Sequence, residues 1–103
     1  MHFKGFYKQL NDSQIENSIQ NEGFNPAKIT NGASNTYSPH KHPETKLLAF
    51  LKGEMKVKAG GNTFDCKPGD KLIIQGNVTH SAICQSQGCT FFWAEKLLTV
   101  LNT

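Results

Sequence analysis

Arginine is absent: all eleven basic residues are lysines, set against eight acidic residues for a net charge of +3. Without a guanidinium fork, bidentate recognition of a phosphate or of a guanine edge is excluded. Lys52, Lys56 and Lys58 are spaced like the wet face of a strand and not like a basic patch, so nucleic acid is not an expected partner. Long hydrophobic runs are missing too. None approaches the roughly 18–20 residues that span a bilayer, so no membrane association is expected. Residues Met1 to Leu10 mix Lys4 and Lys8 with aromatics and lack the apolar stretch of a secretory signal, which points to a cytoplasmic protein. Cysteine is scarce and odd in number. Cys66, Cys84 and Cys89 show no CxxC spacing and read as free thiols. With 103 residues and no internal repeat, the chain has room for one domain.

What is present falls into two parts. In residues 1–25, Ser13 followed by Glu16 has the form of a capping box, and Ile15 and Ile19 share one helical face. Gly23 suits the left-handed stop after a helix. About ten residues of helix cannot stand alone, so the segment is expected to lean on the rest, with Phe24 as an anchor. From Pro26 to Thr103, short runs rich in Ile, Val, Thr and Phe alternate with Gly, Asn and Pro. Strands are expected near 27–30, 35–42, 46–51, 54–59, 62–66, 71–75, 80–84 and 90–94, the pattern of a sandwich or barrel. Lys52-Gly53, Gly60-Gly61 and Lys67-Pro68-Gly69-Asp70 are turn-forming sequences. Met55, Val57 and Ala59 alternate with lysines and should face inward. Leu47 to Leu51 is apolar on both faces, as in a strand covered on both sides. The tail Leu97 to Thr103 fits a strand, a short helix or a cover for an apolar patch. Together with Leu47–Leu51 it suggests more apolar surface than a small barrel can hide, hence a homodimer.

His40-Lys41-His42 carries the chemistry. Side chains two apart on a strand share a face, so both imidazoles point the same way. His80 opens another inward set with Ala82 and Cys84. Three converging imidazoles suit a divalent transition metal, although an isolated HxH is as often a pair of surface or hydrogen-bonded histidines. The surroundings decide between these. The stretch from His40 to Glu54, with Gly53 at its end, resembles the first motif of the cupin superfamily. The stretch from Gly69-Asp70 through Gln75-Gly76-Asn77 to His80 resembles the second. That resemblance implies an all-β fold, a small antiparallel β-barrel of double-stranded β-helix (jelly-roll) type, here with a short N-terminal helix. It also implies that His40, His42 and His80 bind a divalent metal such as Zn, Ni, Fe or Mn.

Several positions depart from the family pattern. Lys46 stands where the family places its ligand glutamate, and an ammonium has no lone pair for a metal. Gln75 replaces the second-motif proline and Asn77 its glycine. Ser34 replaces a first-motif glycine for which Gly32 is a nearby substitute. Glu44 shares parity with His40, His42 and Lys46. It is either a fourth ligand, or an acceptor for a ligand histidine, or a mouth residue paired with Lys46. Lys46, Tyr37, Cys84 and Gln75 are candidates to line a ligand pocket, Cys84 having the alternative role of a small core residue. Phe50, Phe64, Phe91, Phe92 and Trp93 read mainly as core, with one or two free to wall the pocket. Two functions follow. One is a metal-binding cupin that acts on or binds a small molecule, anionic if Lys46 takes part. The other is a non-catalytic sensing module resembling the effector arm of a transcription regulator, acting through a partner because no helix-turn-helix is present.

Overall fold

The computed structural model describes residues 1–96; the tail at 97–103, for which the sequence leaves a strand, a short helix or a cover for an apolar patch open, lies outside the described residues. In chain order the elements are β1 (His2–Phe3), α1 (Asp12–Asn21), β2 (Asn25–Asn31), β3 (Thr36–His40), β4 (Thr45–Ala59), β5 (Asn62–Cys66), β6 (Lys71–Ile74) and β7 (His80–Lys96). All pairings are antiparallel. The sheet runs β1-β6-β4-β7-β2, with β3 added on β7 and β5 on β4. The fold is the small all-β barrel with one helix that the sequence pattern implies.

Two long strands form the spine, and both differ from expectation. The runs 46–51 and 54–59 are one strand, β4, and the runs 80–84 and 90–94 are one strand, β7. What reads as a turn at Lys52-Gly53 is a bulge, with register shifts between Phe50 and Lys52 and between Gly53 and Met55. Gly53 sits at φ +71° and its backbone passes so close to Gly88 that a Cβ would overlap the Gly88 carbonyl oxygen. A bulge adds one residue and so swaps the faces of the strand. Leu48 and Phe50 point into the barrel before it, Met55 and Val57 after it.

Leu47, Ala49 and Leu51 therefore face outward, where they meet Tyr7, Ile15, Ile19 and Phe92 in a second core under the helix. Each fully buried aliphatic side chain there stabilises by roughly 1.5–3 kcal/mol. Phe24 packs on this cluster, as expected of an anchor. The outer face of Leu47–Leu51 is thus covered within the chain, which removes that half of the reason for a dimer. The helix is capped by Asn11, not Ser13. The Asn11 side chain accepts from the Gln14 N–H and the Gln14 side chain accepts from the Asn11 N–H, each at 2.9 Å. Asn and Gln fill the cap and third positions as well as Ser and Glu do. Gly23 takes φ +88° at the helix end.

The thiol reading also needs correction. Cys84 and Cys89 form a disulfide across the 85–88 excursion of β7, and only Cys66 remains free, buried in the barrel. His2, for which the sequence offers no partner, has one 68 positions away. Its Nε2 lies 2.8 Å from Asp70, whose carboxylate also accepts the N–H groups of Gly5 (2.8 Å) and Lys67 (3.1 Å). Asp70 thus ties the N-terminal segment to the β5–β6 turn. Burial alone would raise its pKa, but the bonds from Gly5, His2 and Lys67 prevail and lower it. A lowered carboxylate pKa means stability that is present above the unfolded value near 3.9 and lost as pH falls through the folded value. We predict that Asp70→Asn costs roughly 1.5–3 kcal/mol near neutrality and that the gap to wild type narrows in acid. Urea unfolding at pH 7 and at pH 3 checks this; an equal gap at both would show that the charge is not what matters.

Candidate metal centre

The pairing of β3 with β7 builds the site. His40 and His80 are direct cross-strand partners, with a register shift between Tyr37 and His40 near Pro39. His42 follows two residues beyond that strand end. Ring centroids are 4.4 Å apart for His40–His80, 4.8 Å for His40–His42 and 5.8 Å for His42–His80. One nitrogen from each ring lies within 4.8 Å of the others. Imidazole donors sit roughly 2.0–2.1 Å from a divalent ion, so a small inward movement of the rings would let one ion reach all three.

Two of the rings are preset for this. His40 Nδ1 donates to the Ser38 carbonyl and His80 Nδ1 to the Val78 carbonyl at 3.0 Å. A ring nitrogen that bonds a carbonyl oxygen must carry a proton, so in the neutral form of each ring Nε2 keeps its lone pair. His80 Nε2 is buried and has no hydrogen-bond partner among the described residues. Burial pushes the pKa of His80 down; its bond to Val78 acts the other way, while His40, His42 and Lys46 add to the lowering. The ring is therefore neutral at pH 7, the form that can coordinate. A buried imidazole lone pair with nothing to accept is expensive, and a divalent ion would satisfy it. The residues present fit such an ion.

His40 and His80 line a small cavity of about 20 Å³, walled also by Leu48, Met55, Val57, Ile74 and Phe91 and by the rings of Tyr37 and Trp93. That is room for a water or an ion. Lys46 also lines it and is only 2% exposed. Its ammonium donates to Glu95 at 2.6 Å, lies 3.9 Å from Glu44 and stands 5.0 Å over the Trp93 ring. The bond from Lys46 is the main reason that the Glu95 pKa is lowered.

The sequence profile of the AraC-like ligand-binding domain family matches residues 27–95, the span that carries β2 to β7 and all three histidines. The chain belongs to this family. Solved cupins share the barrel of this AraC-like domain. An RmlC-like cupin from Shewanella frigidimarina is 20% identical, with a TM-score of 0.67 over 72% of this chain and 66% of that one. KdgF from a Halomonas species is 15% identical, with a TM-score of 0.60 over 68% and 66%. A predicted oxalate decarboxylase from Thermotoga maritima is 22% identical, with a TM-score of 0.63 over 81% and 74%. The chain spans just under two-thirds of the first two proteins. Likenesses at this identity establish the fold and leave the activity to be argued. No curated protein sequence matches the chain.

Within this AraC-like domain the remaining candidates separate. Tyr37 lines the cavity, its hydroxyl accepting from Asn31 Nδ2 at 2.6 Å and its ring tilted against Trp93. Lys46 faces inward, as its parity implies. Glu44 is half-buried, lies 3.9 Å from the Lys46 ammonium and is not part of the histidine cluster. Cys84 and Gln75 do not line the cavity. Cys84 is spent on the disulfide, and Gln75 is exposed in a separate groove beside Met1 and Phe64. Ser34 and Asn77 adopt φ of +61° and +64°, so each takes the left-handed turn itself and Gly32 is not needed. Glu95 is the site residue that sequence reasoning missed. Its only signal is its place opposite Lys46 across β4 and β7, which requires the register of both long strands.

Proposed function

We propose that this domain binds a divalent metal ion, Zn, Ni, Fe or Mn, through His40, His42 and His80 and holds a small molecule beside it. The observation that carries the reading is the buried Nε2 of His80, without a hydrogen-bond partner among the described residues and clustered with two other imidazoles. When bound, such an ion supplies Lewis acidity to an oxygen of the ligand. Lys46 supports an anionic ligand, such as a carboxylate or a phenolate. Its ammonium has three donors and gives one full hydrogen bond, to Glu95, so it can also meet an oxygen at the cavity. Glu44 enters this reading as a mouth residue beside Lys46. The cavity is small and most of its walls are apolar, which favours a ligand of few atoms that leaves most of its polar surface at the mouth.

A non-catalytic sensing role is the second reading, favoured by the ligand-binding character of the matched family. Association as a homodimer and a place in the cytoplasm complete the proposal. For the latter, no helix among the described residues is long and apolar enough to cross a membrane. The Cys84–Cys89 disulfide weighs against it, since reducing compartments seldom keep such bonds.

Thermal melting of metal-free protein with each ion in turn tests the metal reading. An ion at 100 times its dissociation constant adds about 2.7 kcal/mol to stability. No upward shift with any of the four ions, together with sub-stoichiometric metal by elemental analysis, would overturn it. Once an ion is identified, a screen of small carboxylates, phenols and neutral sugars tests the anionic preference.

A further inference from the structure

Lys46 poses a problem for any cation at the histidines. Its ammonium is buried, it lines the same cavity as His80, and two of its three N–H donors have no full hydrogen bond among the described residues. Glu44, at 3.9 Å, is beyond hydrogen-bond reach. On the same cavity wall His80 Nε2 has a lone pair and no donor. An ammonium with spare donors and an imidazole with a spare acceptor satisfy each other, yet here they are not bonded. What separates them is visible. Lys46 and Glu95 are cross-strand partners on β4 and β7, and the carboxylate takes the ammonium at 2.6 Å, where it stands over the Trp93 ring. Register, not a chance rotamer, places that carboxylate.

We infer that Glu95 is a positioning residue that holds the Lys46 ammonium off the three histidine nitrogens and cancels its charge, reserving those nitrogens for a divalent cation. A free ammonium would harm the site twice. It would cover the lone pair that a metal needs, and it would repel the incoming charge in a cavity poor in water. Paired with Glu95, Lys46 adds no net charge. The family's ligand glutamate at this position is thus replaced by a lysine and a carboxylate from the neighbouring strand. The consequence for metal rests on the proposed function; the placement of Lys46 does not.

The test has two arms. In metal-free protein, side-chain nitrogen spectra of ¹⁵N-histidine should show His80 Nε2 unprotonated and free of a donor. Glu95→Gln should shift that resonance as Lys46 turns to it, and the double variant Lys46→Met/Glu95→Gln should return it. In the second arm, Co²⁺ titration should show affinity falling about tenfold or more in Glu95→Gln and recovering in the double variant. Lys46→Met alone, which removes the cation and keeps the carboxylate, should bind Co²⁺ at least as tightly as wild type; it provides the same comparison should Glu95→Gln not fold. An unshifted His80 resonance in Glu95→Gln overturns the inference, as does unchanged Co²⁺ affinity or weaker binding by Lys46→Met. Should wild type take neither Co²⁺ nor any of the four ions named above, the metal reading fails, and the nitrogen spectra alone decide whether Glu95 restrains Lys46.

Discussion

Replacing both His40 and His42 by alanine is expected to leave a folded barrel that holds no stoichiometric divalent metal. Neither ring belongs to either hydrophobic core, and both are only half-buried. The structural loss is chiefly the bond from His40 Nδ1 to the Ser38 carbonyl, a contribution of roughly 0.5–1.5 kcal/mol. The chemical loss is far larger, because one remaining imidazole cannot retain an ion against water. Elemental analysis after dialysis should fall from one ion per chain to background, while the metal-free melting temperature moves by a few degrees. Retained stoichiometric metal would place the ion elsewhere. The wild-type protein should also release metal as pH drops below about 6, because a protonated imidazole has no lone pair to give. His80 gives up its proton more readily than a free imidazole, so at neutral pH it needs no deprotonation before it binds.

His40 and His42 could be read from sequence because they are close in the chain, but β3 ends at His40, so the one-face rule of a strand does not by itself place His42. The second motif supplied the third ring by resemblance, and the pairing of His40 with His80 brings all three together. The barrel was readable for the same reason, since alternation and turn chemistry are written within a few residues. Features that depend on distant register were not. Gly53 carries an ordinary turn signal, and only its close approach to Gly88 makes it a bulge inside a single strand. His2 and Asp70, and Lys46 and Glu95, meet over 68 and 49 positions, with nothing nearby in sequence to announce either pair. Cys84 and Cys89 are five apart, a spacing that a regular strand would hold too far open; the excursion at 85–88 brings their Cα atoms to 5.8 Å. Lys46 lies between the two cases. Its inward direction follows from parity, whereas its partner does not.

Lys46→Glu should give the largest gain in metal affinity of any single substitution, and it should do so at the expense of the metal-free protein. The new carboxylate would occupy a position that is 2% exposed, and it would face Glu95 where a cation stood. Breaking this ion pair destabilises the metal-free protein, by less than the roughly 3–5 kcal/mol of a fully buried pair, because the Glu95 side chain is 41% exposed and keeps part of its hydration. Glu44 is close enough to add to the repulsion. A divalent cation at the histidines reverses the balance, since carboxylates that repel one another in its absence become its neighbours. Metal affinity should therefore rise, by about 10- to 100-fold if the new carboxylate acts as partner or ligand. The melting temperature should show the exchange directly: lower than wild type without metal, with a much larger upward shift when metal is added. Anionic ligands should bind more weakly, since the ammonium that would meet them is gone. Lys46→Met separates the effects. It removes the ammonium without adding a carboxylate, so anion binding should fall while metal content is kept. Isothermal titration with Ni²⁺, followed by a small carboxylate, measures both quantities on the same samples. If Lys46→Glu binds Ni²⁺ no more tightly than wild type, the side chain at position 46 does not reach the histidines, and the cavity wall that joins them has another role.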